Sequence, residues 1–279
     1  MTINSQLVSL VQRLCVGRDL PDVEQVYRPS ENRPEGQDKK FGVVMLADGS
    51  CGFFFTGFQQ IRERLNDFDL ARVVATPAVE LIKQCESEDP LEEAIAFGVL
   101  NALSQHLLAS TNFTLDQATD PLGQLHMESA EHIGMVGFFP PLVKILAGTS
   151  KRLTILEKDP KFLSRTGAFE MSEDVAALQG CDRVLITGST LINNTLDEVL
   201  AHCASAAQTA LIGPTASCLP DPLFARGIDV VGSTMVTNPK RLKGLLEAGQ
   251  PWHEATAKYC ITRSNYPGID QLLHVPPDA

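Results

Sequence analysis

The densest run of small polar side chains in the sequence is Thr187-Gly188-Ser189-Thr190-Leu191-Ile192-Asn193-Asn194-Thr195. It follows the apolar run Arg183-Val184-Leu185-Ile186 and precedes an amphipathic stretch that begins at Leu196. A strand that turns into a helix through hydroxyl and amide residues presents backbone N–H groups and side-chain donors to an anionic or polar ligand. Thr195 or Asn194 is expected to cap the helix, which leaves Ser189, Thr190 and Asn193 for a ligand. The next apolar run ends in Gly213-Pro214-Thr215-Ala216-Ser217-Cys218, again small and polar. Thr187, Gly188, Gly213, Pro214 and Ser217 are therefore read as one wall of a pocket.

Two other strand ends complete that reading. Gly134-Met135-Val136-Gly137-Phe138-Phe139-Pro140-Pro141 is a glycine-containing strand-to-helix turn, although not Gly-x-Gly-x-x-Gly. Gly134, Gly137, Phe138 and Pro140 are expected either to let a ligand approach the backbone or to allow tight helix–sheet packing. Glu157 ends the following strand. An acid at that place accepts hydrogen bonds from a ribose diol in nucleotide-binding folds, and the alternative is a solvated acid beside Lys158 and Asp159.

Metal and nucleophile chemistry has less support. The histidines are His106, His126, His132, His202, His253 and His274, and none forms His-x-x-x-His. The seven cysteines, Cys15, Cys51, Cys85, Cys181, Cys203, Cys218 and Cys260, contain no Cys-x-x-Cys. His202 and Cys203 are neighbours on a helix and point apart. Ligands converging from distant segments are best placed at His126, His132 and Cys218. No Gly-x-Ser-x-Gly elbow occurs, and no tyrosine is followed four residues later by lysine. Cys218 at a strand end has no assignable base and reads as a structural thiol.

These residues need elements to hold them. From His132 onward, apolar runs at Ile133–Phe139, Arg152–Glu157, Arg183–Gly188, Thr209–Gly213 and Asp229–Gly232 alternate with helical segments. Those segments are Pro140–Ala147, Asp174–Leu178, Leu196–Ala204, Asp221–Ala225 and Pro239–Ala248. Short buried strands alternating with helices predict a parallel sheet covered on both faces, here a Rossmann-like doubly wound domain. Upstream, Leu7, Leu10, Val11 and Leu14 predict a first helix. Phe41–Leu46 and Gly52–Phe55 around Asp48-Gly49-Ser50 predict a β-hairpin. Pro77–Cys85 and Pro90–Leu108 predict helices. The fold class is α/β. An α+β domain is expected over 1–120 and the Rossmann-like domain with its tail over 121–279, the polar stretch 112–131 joining them. The tail after Gly249 has mixed character and is left unassigned.

The chain has 279 residues, enough for a sizeable core. Its net charge of −11 argues against a nucleic-acid-binding protein, since no basic face is evident in the sequence. The longest apolar stretch, Ile133–Gly148, contains Pro140, Pro141 and Lys144 and is too short to span a bilayer. Met1-Thr2-Ile3-Asn4-Ser5-Gln6-Leu7 is no secretory signal, and an odd number of unpaired cysteines suits a cytoplasmic protein.

Ile186–Leu196, Gly213-Pro214-Thr215, Asp221-Pro222-Leu223-Phe224, Gly227-Ile228-Asp229 and Gly232–Pro239 together resemble a family of unknown-function domains known as "putative heavy-metal chelation". Val136-Gly137-Phe138-Phe139-Pro140 is similar to the family's start, and Gly98–Ser104 to its amino-terminal companion. The resemblance implies an enolase N-terminal-like domain ahead of a Rossmann-like one, with a cleft between them. Asn194 stands where the family pattern carries glycine, and the tail with Trp252, His253 and Tyr259 departs from it.

The expected function is binding of a small anionic or nucleotide-like ligand in an interdomain cleft, with or without catalysis. Asn101 is a candidate to reach that cleft from its helix. The competing readings are a metal-binding or chelating protein, with a transition metal as cofactor, and a non-catalytic ligand- or partner-binding module. A homodimer is compatible with the apolar helix faces.

Overall fold

The structure, a computed structural model, describes residues 1–29, 40–58, 60–118, 120–146, 148–203 and 207–274. Phe41–Leu46 and Cys51–Phe55 pair as the expected antiparallel hairpin (β2 and β3), joined by Val23–Tyr27 (β1) along the β2 edge. The run Val43-Val44-Met45-Leu46 is unbroken in hydrophobicity because both faces of this sheet are covered. Val44, Leu46 and Phe54 meet the Pro90–Ala109 helix. Val43, Met45 and Phe53 meet the Pro239–Glu247 helix and Trp252. The helix crosses the sheet at Gly52, where a Cβ would stand 2.0 Å from the Gly98 carbonyl oxygen. Only a missing side chain permits that approach.

The Pro90–Ala109 helix begins cleanly. Asp89 caps it by accepting from Leu91 N and Glu92 N, and Pro90 occupies the first turn. Most of its residues are apolar, and from Ala94 to Ser104 every one is buried.

The second sheet has seven strands. They are β4 (His132–Val136), β5 (Arg152–Leu156), β6 (Glu170–Ser172), β7 (Arg183–Thr187), β8 (Gln208–Ile212), β9 (Val230–Val236) and β10 (Thr256–Thr262). Their spatial order is β10-β9-β8-β7-β4-β5-β6, with all pairs parallel except β9–β10. From β4 outward this is the doubly wound order, with the direction reversing between β4 and β7. Ile133, Met135, Leu153 and Ile155 pack under the Pro140–Leu146 helix on one face. Val136, Val184, Ile186 and Leu211 pack on the other face, in an apolar cluster that continues into Ile3, Leu7 and Val11 of the first helix, Ile3–Cys15.

The tail, unassigned from the sequence, has regular structure. It supplies β10, the edge strand antiparallel to β9, and a last helix, Ile269–His274. β1 and β6 were also absent from that reading. Val175–Leu178 and Ile82–Cys85, expected within α-helices, lie in 3-10 turns. Ala147 and Ala204, where two helices were expected to end, lie outside the described residues. Among the described residues, no helix is long and apolar enough to cross a membrane.

Candidate functional site

The reversal of strand order brings the expected site residues to one edge. β4 and β7 are adjacent and in register from Ile133–Arg183 to Val136–Ile186. Gly137 and Thr187 therefore sit side by side at the carboxyl end of the sheet, with Glu157 beyond β5 and Gly213 beyond β8.

The β4 turn is occupied by the protein's own carboxylate. Glu157 Oε2 accepts from Phe138 N (3.0 Å), and Oε1 accepts from Lys158 N (2.8 Å) and Asp159 N (2.9 Å). The negative charge thus lies where an anionic ligand at this turn would be held. The Phe138 ring stacks on Phe162 at 5.4 Å and 17°, with the Arg165 guanidinium 5.1 Å from its centroid. Pro140 opens the Pro140–Leu146 helix. Gly134 is not part of the turn. It lies mid-strand, and a Cβ there would stand 3.0 Å from both Cys181 Sγ and Leu178 Cδ2, so its role is packing.

The β7 turn spends most of its polar groups on itself. Thr187 Oγ1 and Ser189 Oγ are 2.9 Å apart, and Thr190 Oγ1 donates to Thr187 O at 2.7 Å. Gly188 N donates to Ile212 O at 2.7 Å, tying this turn to β8. Ser189 and Thr190 are buried. The β8 turn is covered by the Pro90–Ala109 helix. Asn101 Nδ2 donates to Thr215 O and to Phe53 O, both at 2.9 Å, and Gln105 Nε2 donates to Ser217 O at 2.8 Å. Ser233 Oγ donates to Gly213 O at 3.0 Å, next to Pro214. Ser217 is fully buried. Asn101 therefore reaches the β8 turn as a structural clamp.

What stays open is the end of the β7 turn. Neither Asn194 nor Thr195 caps the Leu196–His202 helix through its side chain. Asn193 Oδ1 accepts from Thr195 Oγ1 (2.7 Å), while Asn194 turns back in the left-handed region at φ 57°. Asparagine tolerates that conformation better than other non-glycine residues, which accounts for its standing at a glycine position. Asn194 Oδ1 accepts from Asn4 Nδ2 (2.7 Å), and Asn194 Nδ2 donates to Glu93 Oε1 (2.6 Å). Glu93, Asn193 and Asn194 border a cavity of about 220 Å³ lined also by Phe58, Ile61, Ser87, Glu88, Pro90 and Ile192. Glu93 is 4% exposed and carries no ion pair among the described residues. Burial pushes its carboxyl up to about 7, against the hydrogen bond from Asn194, which pulls it down. Glu93 is not among the residues singled out from the sequence. The available signal was its place beside the apolar run Ala94–Leu100 of the same helix, which is buried throughout.

A larger, shallow hollow of about 450 Å³ lies at the amino-terminal edge, lined by Gln208, Asp229 and Arg263 among others. The Arg263 guanidinium there is already engaged by Ile228 O and Asp229.

The metal candidates do not converge. His132 starts β4, whereas Cys218 follows the β8 turn at the opposite edge, and a strand of five residues separates those edges by roughly 16 Å. His126 is exposed and lies 3.6 Å from Glu128. Among the described residues, no group of three or more His, Cys, Asp and Glu side chains is placed to hold a metal ion, so a closed four-ligand site does not fit. All seven cysteines are free thiols. Burial pushes Cys218 up to about 12, which leaves it inert as a nucleophile.

Comparison with known proteins now adds to this geometry. Family models described as "Putative heavy-metal chelation" match residues 39–104 and 120–264. The chain is 30% identical over 158 residues to the uncharacterized protein MJ0500 of Methanocaldococcus jannaschii, covering 56% of this chain and 60% of that protein. The match thus spans about three-fifths of that relative's length. Two crystal structures of proteins of unknown function share the fold. The one from Pyrococcus horikoshii aligns with a TM-score of 0.67 at 19% identity, covering 94% of this chain and 100% of that one. The one from Desulfitobacterium hafniense aligns with a TM-score of 0.65 at 16% identity, covering 93% and 99%. With more than half of its residues matched by the carboxyl-terminal model alone, the chain belongs to the family described as "Putative heavy-metal chelation".

Proposed function

We propose that the protein binds a small organic ligand in the cavity between the Pro90–Ala109 helix and the Asn193–Asn194 turn, and that Glu93 is the group that meets it. The observation that carries this reading is the buried Glu93 carboxyl beside a cavity, with its proton poised near neutral pH. Burying such a group without a cation is costly, and perturbed carboxyls of this kind concentrate at functional sites. A carboxyl near 7 also gives up and takes back a proton at little cost, the property general acid–base chemistry needs.

The lining selects the ligand's character. Glu88, Glu93, Ser87, Asn193 and Asn194 provide oxygens and amides, and no Lys or Arg lines the cavity among the described residues. That chemistry suits a ligand with hydrogen-bond donors, such as an amine or a polyol, better than a phosphate. The Glu157 carboxylate disfavours an anion at the β4 turn for the same reason. The anionic and nucleotide-like ligand of the sequence reading is therefore replaced here by a neutral or cationic one. The volume, below the roughly 300 Å³ of common ligand pockets, limits it to a small molecule or to one end of a larger one.

The test is native mass spectrometry of gently purified protein against its denatured mass, followed by equilibrium dialysis with a panel of small amines, amino acids and polyols. A bound species that is lost in Glu93→Gln and weakened in Asn193→Ala is the expected result. Equal occupancy in wild type and Glu93→Gln across the panel would overturn the proposal.

A further inference from the structure

Asn4 sits in the first turn of the first helix and is 5% exposed. Its amide determines which way the neighbouring amide of Asn194 faces. The Asn4 atom 2.9 Å from Leu191 O faces a carbonyl oxygen, which only accepts, so that atom is Nδ2. The same nitrogen lies 2.7 Å from the Asn194 side chain and gives its second hydrogen there, so the Asn194 atom facing it is Oδ1. Asn194 Nδ2 is then at the other end of its amide, where it donates to Glu93 Oε1 at 2.6 Å. One backbone carbonyl thus fixes, through two amides, which Glu93 oxygen is occupied. In the acid form of a carboxyl the carbonyl-type oxygen is the acceptor, so Oε1 is that oxygen and the proton sits on Oε2.

We propose that Asn4 is a positioning residue of the cavity: by pinning the Asn194 amide it keeps Glu93 Oε1 engaged and leaves Oε2, with or without its proton, as the atom that meets a ligand. The inference rests on Glu93 being the ligand-binding group, and it names the residue that orients it. Were the Asn194 amide turned over, its Oδ1 would face Glu93 Oε1, an arrangement tolerable only while a proton lies between them. The pinned orientation therefore favours the ionised carboxylate and opposes burial, which favours the acid. The other titratable groups around Glu93 do not take over this task. Glu88 lines the same cavity and is an acid, burial holds the nearby Cys85 thiol protonated, and the Arg64 guanidinium is paired with Asp89. Asn4 is not needed merely to attach the first helix at this place, because Ile3 N donates separately to Asp197 Oδ2 at 3.0 Å.

The experiment follows the Glu93 carboxyl by carbon-13 NMR across pH in the full chain, with no ligand present. Asn4→Leu removes the pin and introduces no charge. An amide divided equally between its two orientations halves the population able to donate to the carboxylate, so the Glu93 midpoint should rise by about 0.3 pH unit or more. In Asn194→Gly, which has no amide to orient, adding Asn4→Leu should move the midpoint no further. Asp197→Ala frees Ile3 N and Arg226 but leaves both amides in place. It should lower the melting temperature and leave the Glu93 midpoint at the wild-type value. The wild type supplies a reading that needs no variant to fold: the Asn194 side-chain amide protons should titrate with the Glu93 midpoint. An unmoved midpoint in Asn4→Leu, an equal rise with and without the Asn194 side chain, or Asn194 amide protons that ignore the Glu93 titration would overturn the inference and leave Asn4 as a tether of the first helix. A chain that binds no member of the amine, amino-acid and polyol panel would count against the ligand reading alone, since these titrations are read without one.

Discussion

At Glu93, burial raises the carboxyl to about 7 from an ordinary 4.5, and the amide of Asn194 opposes the rise. The native state therefore holds this proton more tightly than the unfolded chain does. The sign follows from linkage: between about pH 4.5 and 7 the native state binds more protons, so the Glu93 contribution to stability falls as pH rises and levels off above 7. The shift corresponds to at most about 3 kcal/mol. Glu93→Gln keeps an oxygen for Asn194 Nδ2 and removes the ionisation. Its melting temperature should match wild type near pH 4.5 and exceed it at pH 8; parallel curves at both values would contradict the buried acid. Asn194→Gly suits the left-handed backbone but deletes the donor to Glu93. In that variant the Glu93 titration followed by carbon-13 NMR should move above its wild-type midpoint. Asn194 was legible as a departure from a glycine pattern. Its partnership with Glu93, 101 residues away, was not, because no local periodicity encodes a contact between separate elements.

Elements differed in legibility according to where they lie in the sheets. β2, β4, β5, β7, β8 and β9 read as continuous apolar runs because neighbours cover both their faces. β1, β6 and β10 are edge strands whose sequences Val-Glu-Gln-Val-Tyr, Glu-Met-Ser and Thr-Ala-Lys-Tyr-Cys-Ile-Thr mix polarity, whereas the edge strand β3, Cys-Gly-Phe-Phe-Phe, is buried on both faces and reads as apolar. The β8 turn shows the same limit from the other side. Its small polar residues read as a ligand wall, but the Pro90–Ala109 helix covers them, and Asn101 donates to carbonyls of both β3 and that turn. Asn101→Leu leaves Phe53 O and Thr215 O buried without this donor. A loss of about 2–4 kcal/mol by urea denaturation is expected, with the Glu93 titration unchanged. A loss within experimental error of zero would mean that the clamp contributes nothing to the seam.

For the whole molecule, the sequence reading separates an amino-terminal part from a carboxyl-terminal sheet near residue 120, and the two family models cover residues 39–104 and 120–264. The packing joins what the chain order separates. The three-stranded sheet lies between its own helix, Pro90–Ala109, and Pro239–Glu247 of the carboxyl-terminal part. Trp252 rests on Phe53 with ring centroids 4.7 Å apart. One apolar cluster holds Leu7, Phe97, Leu191, Ala216 and Ile269 together. Taking the parts apart would expose Val43, Met45 and Phe53 on one side and Leu242 and Leu245 on the other, each costing about 1.5–3 kcal/mol for a full side chain. Unfolding is therefore expected as one cooperative transition. The only tryptophan, Trp252, reports directly on the seam, so its fluorescence and the far-ultraviolet circular dichroism should share one urea midpoint. A fluorescence change at lower urea, with circular dichroism still native, would show that the two parts separate before either unfolds. Glu93 meets Asn194 of the carboxyl-terminal part, so a ligand that fills the cavity between them should raise both midpoints together.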